Sequence, residues 1–195
     1  MAQLLAGHVP LTPPLFGWLK RRPPPTVDTA AWQRVRAITP WLLHLDETRD
    51  ATLQALTAGF LQEKTITPLA GLTLDDDQRL QLAALCCLPL IGLGANGWAG
   101  WSQVLVYPDA FRVRRSHTDA AGVLHEYEDE LAGESWDVGP LILSWADVQA
   151  DLAEPDAGFC VAIHEMAPKL DALGGEMNGT PPLPRAWHRK WASDF

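Results

Sequence analysis

Toward the end of the chain, His164-Glu165-Met166-Ala167-Pro168 sets an imidazole beside a carboxylate in an apolar, helix-forming segment. Side chains four residues apart share one face of a helix. A second histidine at position 168 would therefore let two imidazoles hold one Zn2+ while the intervening Glu activated a metal-bound water. Position 168 is proline instead. Proline offers no ligand, lacks the N–H that would bond the carbonyl of His164, and crowds that carbonyl with its ring. The motif thus retains one metal ligand, His164, and one candidate general base, Glu165. A catalytic zinc needs three protein ligands and an open position for water.

Other side chains do not replace the lost ligand at helical spacing. Glu165 is rotated about 100° from His164 around the helix. Asp171 follows seven residues later on the same flank, two turns away and beyond the proline. His117, His125 and His188 remain as recruits from elsewhere in the chain. Proline in a helix interior costs roughly 3 kcal/mol and biases Ala167 away from helical angles. The expectation is a kink, with a new helix beginning at Pro168 as its first turn.

The elements that must position this segment can be read along the chain. Residues 1–27 are proline-rich and carry the short run Leu15-Phe16-Gly17-Trp18-Leu19, which suits an irregular arm. Asp28 can cap a helix through about Ala37, Pro40 interrupts, and Asp46 can cap a longer helix. In that helix Leu53, Leu56, Phe60 and Leu61 share a face. Asp75 and Gln78 have capping-box spacing ahead of Leu80, Ala83, Ala84, Cys87 and Leu88. Pro89 and the glycines at 92, 94 and 97 end that helix.

Strand signals follow. Val104 to Tyr107 is a short apolar run, Phe111 and Val113 alternate with Arg112 and Arg114, and Val123 to Glu128 alternates after an Asp119-Ala120-Ala121-Gly122 turn. These read as a hairpin extended by Leu141-Ile142-Leu143-Ser144-Trp145. A short helix is expected from Asp147 to about Ala153, then a loop at Pro155-Asp156-Ala157-Gly158. Phe159, Ile163, Met166 and Leu170 form the core-facing stripe of the motif helix. Trp136 and Trp145 flank the Gly139-Pro140 turn and fit either a cleft wall or the core, while Glu134 and Asp137 read as solvated turn residues or cleft acids.

With 195 residues, 47% hydrophobic and 20% charged, the chain can bury one sizeable core. The net charge of −9 is spread along the sequence, which argues against direct contact with a nucleic-acid backbone. The basic cluster Lys20-Arg21-Arg22 adjoins three prolines and reads as a solvated arm or a docking patch. No stretch reaches the roughly 18 apolar residues of a membrane span, and the N-terminal charges follow the apolar patch, the wrong order for a secretory signal. Cys86 and Cys87 sit in an apolar run and Cys160 stands alone. They suit buried small hydrophobes or a soft-metal pair better than a disulfide framework, and the expected compartment is the cytoplasm.

Several segments together resemble the MtfA family, the Mlc titration factors. They are 16–22 (Phe-Gly-Trp-Leu-Lys-Arg-Arg), 105–111 (Leu-Val-Tyr-Pro-Asp-Ala-Phe), 133–145, 161–171 and 178–184. The resemblance implies cytoplasmic zinc-dependent peptidases related in fold to the zincins. It implies zinc on His164 and on a histidine at position 168, Glu165 as general base, and a third ligand, a Glu, on a helix further downstream. Position 168 is Pro168, and the chain stops at Phe195 before that helix, so two of three ligands are missing.

The expected architecture is α+β and zincin-like: helices packed on a small, mostly antiparallel sheet, with an arm at 1–27 and a domain at 28–195 that is incomplete at its C-terminus. The expected function is that of a zinc metallopeptidase homologue, impaired or inactive, with peptide substrates. The alternative is a non-catalytic protein that sequesters a Mlc-like transcriptional repressor.

Overall fold

The computed structural model describes residues 24–109, 111–118, 124–131, 133–135, 139–175 and 177–194. Helices begin where a short polar side chain precedes an apolar run. Asp28 caps α1 (Thr29–Ala37) by accepting from the Ala31 N–H at 2.9 Å. Pro40 starts the short α2 (Pro40–Leu43) rather than merely interrupting, because proline's fixed φ suits the first helical position. Asp46 caps α3 (Glu47–Glu63), accepting from Arg49 N at 2.8 Å. At α4 (Asp76–Cys87) the capping box is complete: Asp75 accepts from Gln78 N at 2.8 Å and Gln78 accepts from Asp75 N at 2.9 Å. Ser144 caps α5 (Trp145–Ala153), so Trp145 opens a helix instead of closing a strand. The motif helix α6 runs over Val161–Ala172, and α7 over Arg185–Asp194.

The strands are β1 (Thr65–Pro68), β2 (Gln103–Tyr107), β3 (Phe111–Thr118), β4 (Leu124–Leu131), β5 (Gly133–Ser135) and β6 (Leu141–Ser144). The α+β expectation holds, but the expectation of a mostly antiparallel sheet does not. β1, β2 and β6 are mutually parallel in the order β1-β2-β6-β5, and only β5 runs antiparallel at the edge. Of the expected hairpin, two segments exist as β3 and β4, paired from Phe111 with Leu131 to Thr118 with Leu124, whereas Val104 to Tyr107 belongs to β2 of the parallel sheet. β3 and β4 form a separate two-stranded sheet that β6 does not extend.

The reason is connectivity. α4 carries the chain from the end of β1 back to the start of β2, and this crossover makes their pairing parallel. An alternating pattern in a single strand carries no record of its partner's direction. β1 escaped the sequence reading because it is four residues long and ends in Pro68. Such a strand is tolerated at an edge, and β1 lies at the edge of the sheet.

The core lies between these layers. From Leu80 to Cys87 every residue of α4 is buried, as expected of a helix enclosed on all sides. Its one buried polar side chain there, Gln81, donates to Thr39 Oγ1 at 2.9 Å, and that hydroxyl donates to the Val35 carbonyl at 2.7 Å. Phe60 of α3 meets Trp98 and Trp101 edge-on, with ring centroids 5.8 and 5.9 Å apart. Cys86, Cys87 and Cys160 are free and buried. Val27 packs against the core, whereas residues 1–23 of the arm lie outside the described residues. Among the described residues no helix is long and apolar enough to cross a membrane.

Candidate functional site

Two neighbours hold the motif helix in place. Cys160, at the N-cap, makes no side-chain cap bond. Asp151 of α5 takes that role, accepting from the Val161 N–H at 2.6 Å, where a carboxylate also meets the positive end of the helix. Burial pushes the Asp151 carboxyl above the usual carboxylate range. At the other end, Asp171 accepts from Gly179 N at 2.9 Å and Asn178 N at 3.3 Å, tying the following loop to the helix.

The core-facing surface of α6 differs from the expected stripe. Met166 and Leu170 are buried as expected, but Phe159 precedes the helix and is 45% exposed. The buried set is Val161, Ala162, Glu165, Met166, Lys169 and Leu170. A proline at residue 168 does not start a new helix: α6 is continuous from Val161 to Ala172 with Pro168 inside it. Burial of Val161, Ala162, Met166 and Leu170 on one side outweighs one lost hydrogen bond, since a fully buried large aliphatic contributes roughly 1.5–3 kcal/mol.

Continuity puts His164, Pro168 and Asp171 on one flank, where they line a cleft of about 580 Å3. Its α6 wall adds Ile163, Ala167 and Leu170. The opposite side comes from Leu93, from Met177 and Leu183 in the loop, and from Trp191 of α7. His164 is exposed, with its ring centroid 5.3 Å from that of Phe159. Glu165 is only 8% exposed and lies outside the cleft lining, so the acid and the imidazole face different surroundings.

Other candidates resolve separately. The β3–β4 register sets His117 opposite His125. His188 lies on α7, with Nε2 2.9 Å from the Leu183 carbonyl. Trp145 is half-buried against the core, and Glu134 falls in β5; Trp136 and Asp137 lie outside the described residues. Among the described residues no group of three or more His, Cys, Asp or Glu side chains converges as a metal site would. Among the described residues this flank does not fit a catalytic zinc: it carries one imidazole, His164, and proline occupies the position one turn on.

Beneath α6 lies a cluster that sequence reasoning missed. Lys169, 2% exposed, donates to the Gly139 carbonyl at 2.7 Å and sits 5.4 Å from the centroid of the Trp101 ring. Lys64 stands 4.4 Å from the same centroid, donating to the Trp98 carbonyl at 2.6 Å and to the Trp101 carbonyl. Burial lowers the pKa of the Lys64 ammonium. This cluster joins α3, the loop before β2, α6 and the segment before β6. One signal was present in the sequence: Glu165 and Lys169, four residues apart, share a helix face that borders Met166 and Leu170.

An α+β fold carrying a His-Glu helix of metallohydrolase type defines the class as metallopeptidase-like. The chain belongs to the glucose-regulated metallo-peptidase M90 family, whose profile matches residues 17–195. It is 37% identical over 185 residues to the Mlc titration factor A of Serratia proteamaculans (strain 568), covering 93% of this chain and 69% of that protein. It is likewise 37% identical over 165 residues to the Mlc titration factor A of Klebsiella pneumoniae (strain 342), covering 84% and 61%. The protein of that name from Yersinia enterocolitica is 35% identical over 184 residues, covering 93% and 67%. The chain thus spans roughly two thirds of the length of these relatives.

Proposed function

We propose that this chain is a zincin-like member of the metallopeptidase family, one domain over residues 28–195, whose hydrolytic site is disabled at the metal. The observation that carries this reading is Pro168, one turn beyond His164 in a continuous helix. Peptide hydrolysis of this type needs a water held and acidified by the metal, and a cation offered one exposed imidazole is not retained. Glu165 keeps the residue type of the general base, yet it is buried away from the cleft flank.

The test is direct. Purified chain is analysed for zinc by mass spectrometry and assayed on short peptides with and without chelator. Substoichiometric zinc and no chelator-sensitive turnover are expected. One tightly held zinc per chain with turnover would overturn the reading. Pro168→His should restore the two-imidazole flank and give weak zinc uptake with little peptidase activity; strong activity would show that another side chain completes the site.

A second reading is favoured by what stands in place of a metal cradle: an apolar cleft lined by the exposed Met177 and by Trp191, with the exposed Phe159 against the His164 ring. The relatives are named for Mlc, and binding needs a surface but no metal. On this reading the chain, in the cytoplasm, sequesters a transcriptional repressor of the Mlc type through protein contact rather than through nucleic acid. A pull-down with purified repressor should recover the chain and its Glu165→Gln variant equally, and no recovery of either would end this reading.

A further inference from the structure

The walls of the α6 cleft set backbone and carboxylate hydrogen-bond acceptors in an apolar surface, and its side-chain donors are the rings of His164 and Trp191. Three lining residues are prolines, Pro89, Pro168 and Pro181, which carry carbonyls but no N–H. Because residue 168 is one of them, the His164 carbonyl lacks its helical donor. The Asp171 carboxylate takes up the N–H groups of Asn178 and Gly179 and keeps lone pairs to spare. Apart from the His164 imidazole and the Trp191 N–H, the remaining surface is aliphatic or aromatic, supplied by side chains such as Ile163, Leu170 and Met177. A volume of about 580 Å3 falls within the range of small-molecule sites.

We propose that this cleft binds a small amphipathic cation, an amine or guanidine on an apolar body, with the apolar part between α6 and Trp191 and the cationic head at Asp171 and the His164 carbonyl. The polar complement of these acceptors must donate, and only a donor matches both a carboxylate and a carbonyl that proline denies its helical N–H. An anionic or acceptor-only ligand would leave these groups desolvated and unpaired. The overall charge of −9 draws cations toward the surface. The proposal rests on the reading that no zinc occupies the His164 flank.

The probes are 4-phenylbutylamine, its alcohol and its carboxylate analogue, titrated into the full chain by calorimetry, with zinc content measured on the same sample. The amine is expected to bind about tenfold more tightly than the alcohol, the scale of one charge-assisted hydrogen bond, and the carboxylate least. Asp171→Asn, which keeps an acceptor for Gly179 N–H, should erase the preference of amine over alcohol while both still bind. Ala167→Phe should fill the cleft and abolish binding of all three. Equal binding of the probes, retention of the preference in Asp171→Asn, or no binding in a folded zinc-free chain would overturn the proposal alone. Stoichiometric zinc with no amine binding would overturn it together with the disabled-metal reading.

Discussion

Pro168→Ala should make the protein more stable, and the size of the gain follows from the helix. In a helix interior proline is about 3 kcal/mol less favourable than alanine, counting the missing N–H, the ring clash and backbone freedom. Here the substitution returns a donor to the His164 carbonyl in a helix already formed on both sides. Against this, Pro168 is half-buried in the cleft wall, and replacing its ring gives up burial equivalent to about one methylene, roughly 0.8 kcal/mol. The net gain is about 2 kcal/mol. For a chain of this length that corresponds to a rise in Tm of roughly 4–8 °C. Urea unfolding followed by far-ultraviolet circular dichroism, with a thermal scan, measures both. An unchanged or lower stability would refute the reasoning, because it would mean that α6 does not carry the cost of an interior proline.

Three further outcomes are expected. The buried Cys86 and Cys87 thiols have pKa values raised chiefly by burial, so the native state keeps protons that the unfolded chain sheds near its ordinary value of 9.0. Stability should therefore be intact below pH 9.0 and fall above it by up to about 1.4 kcal/mol per pH unit per thiol; Cys86→Ala should flatten the slope, and equal slopes would contradict this. Asp151→Ala removes the acceptor at the start of α6 and should cost about 1 kcal/mol in urea unfolding, with Asp151→Asn costing less. Lys169→Met leaves the Gly139 carbonyl without its ammonium and removes a cation from the Trp101 ring, a loss of about 1–3 kcal/mol; a midpoint unchanged in denaturant would show that the buried cation is dispensable.

Much of the helical scaffold was legible because helix signals are local. Asp28, Asp46 and the Asp75–Gln78 box each stand within one turn of the N–H groups they satisfy, so spacing alone located three helix starts. The β3–β4 hairpin was legible for the same reason, its partners being close in sequence. β2 and β6 were legible as strands, but β1 and the parallel pairing of the three were not, since that pairing joins residues far apart in sequence and depends on which crossover fits. The cap on α6 was hidden likewise: Asp151 lies ten residues before Val161, with a loop between them. Phe159 fitted the apolar spacing of the motif, but the helix begins two residues later and leaves it outside.

The residue types at 164, 165 and 168 were decided by sequence alone, and with them the loss of the second imidazole, because a ligand is a property of a side chain whatever the fold. Whether Pro168 would break the helix was decided only in the tertiary structure. There the burial of Val161, Ala162, Met166 and Leu170 holds a continuous α6 against the local preference of one residue. The same packing turns Glu165 inward, leaves His164 outside, and brings α7 across to make an apolar cleft on the flank where a second histidine would have held a metal. Local preferences act within a turn or two, whereas the cleft joins residues from 89 to 191 that meet only through the fold.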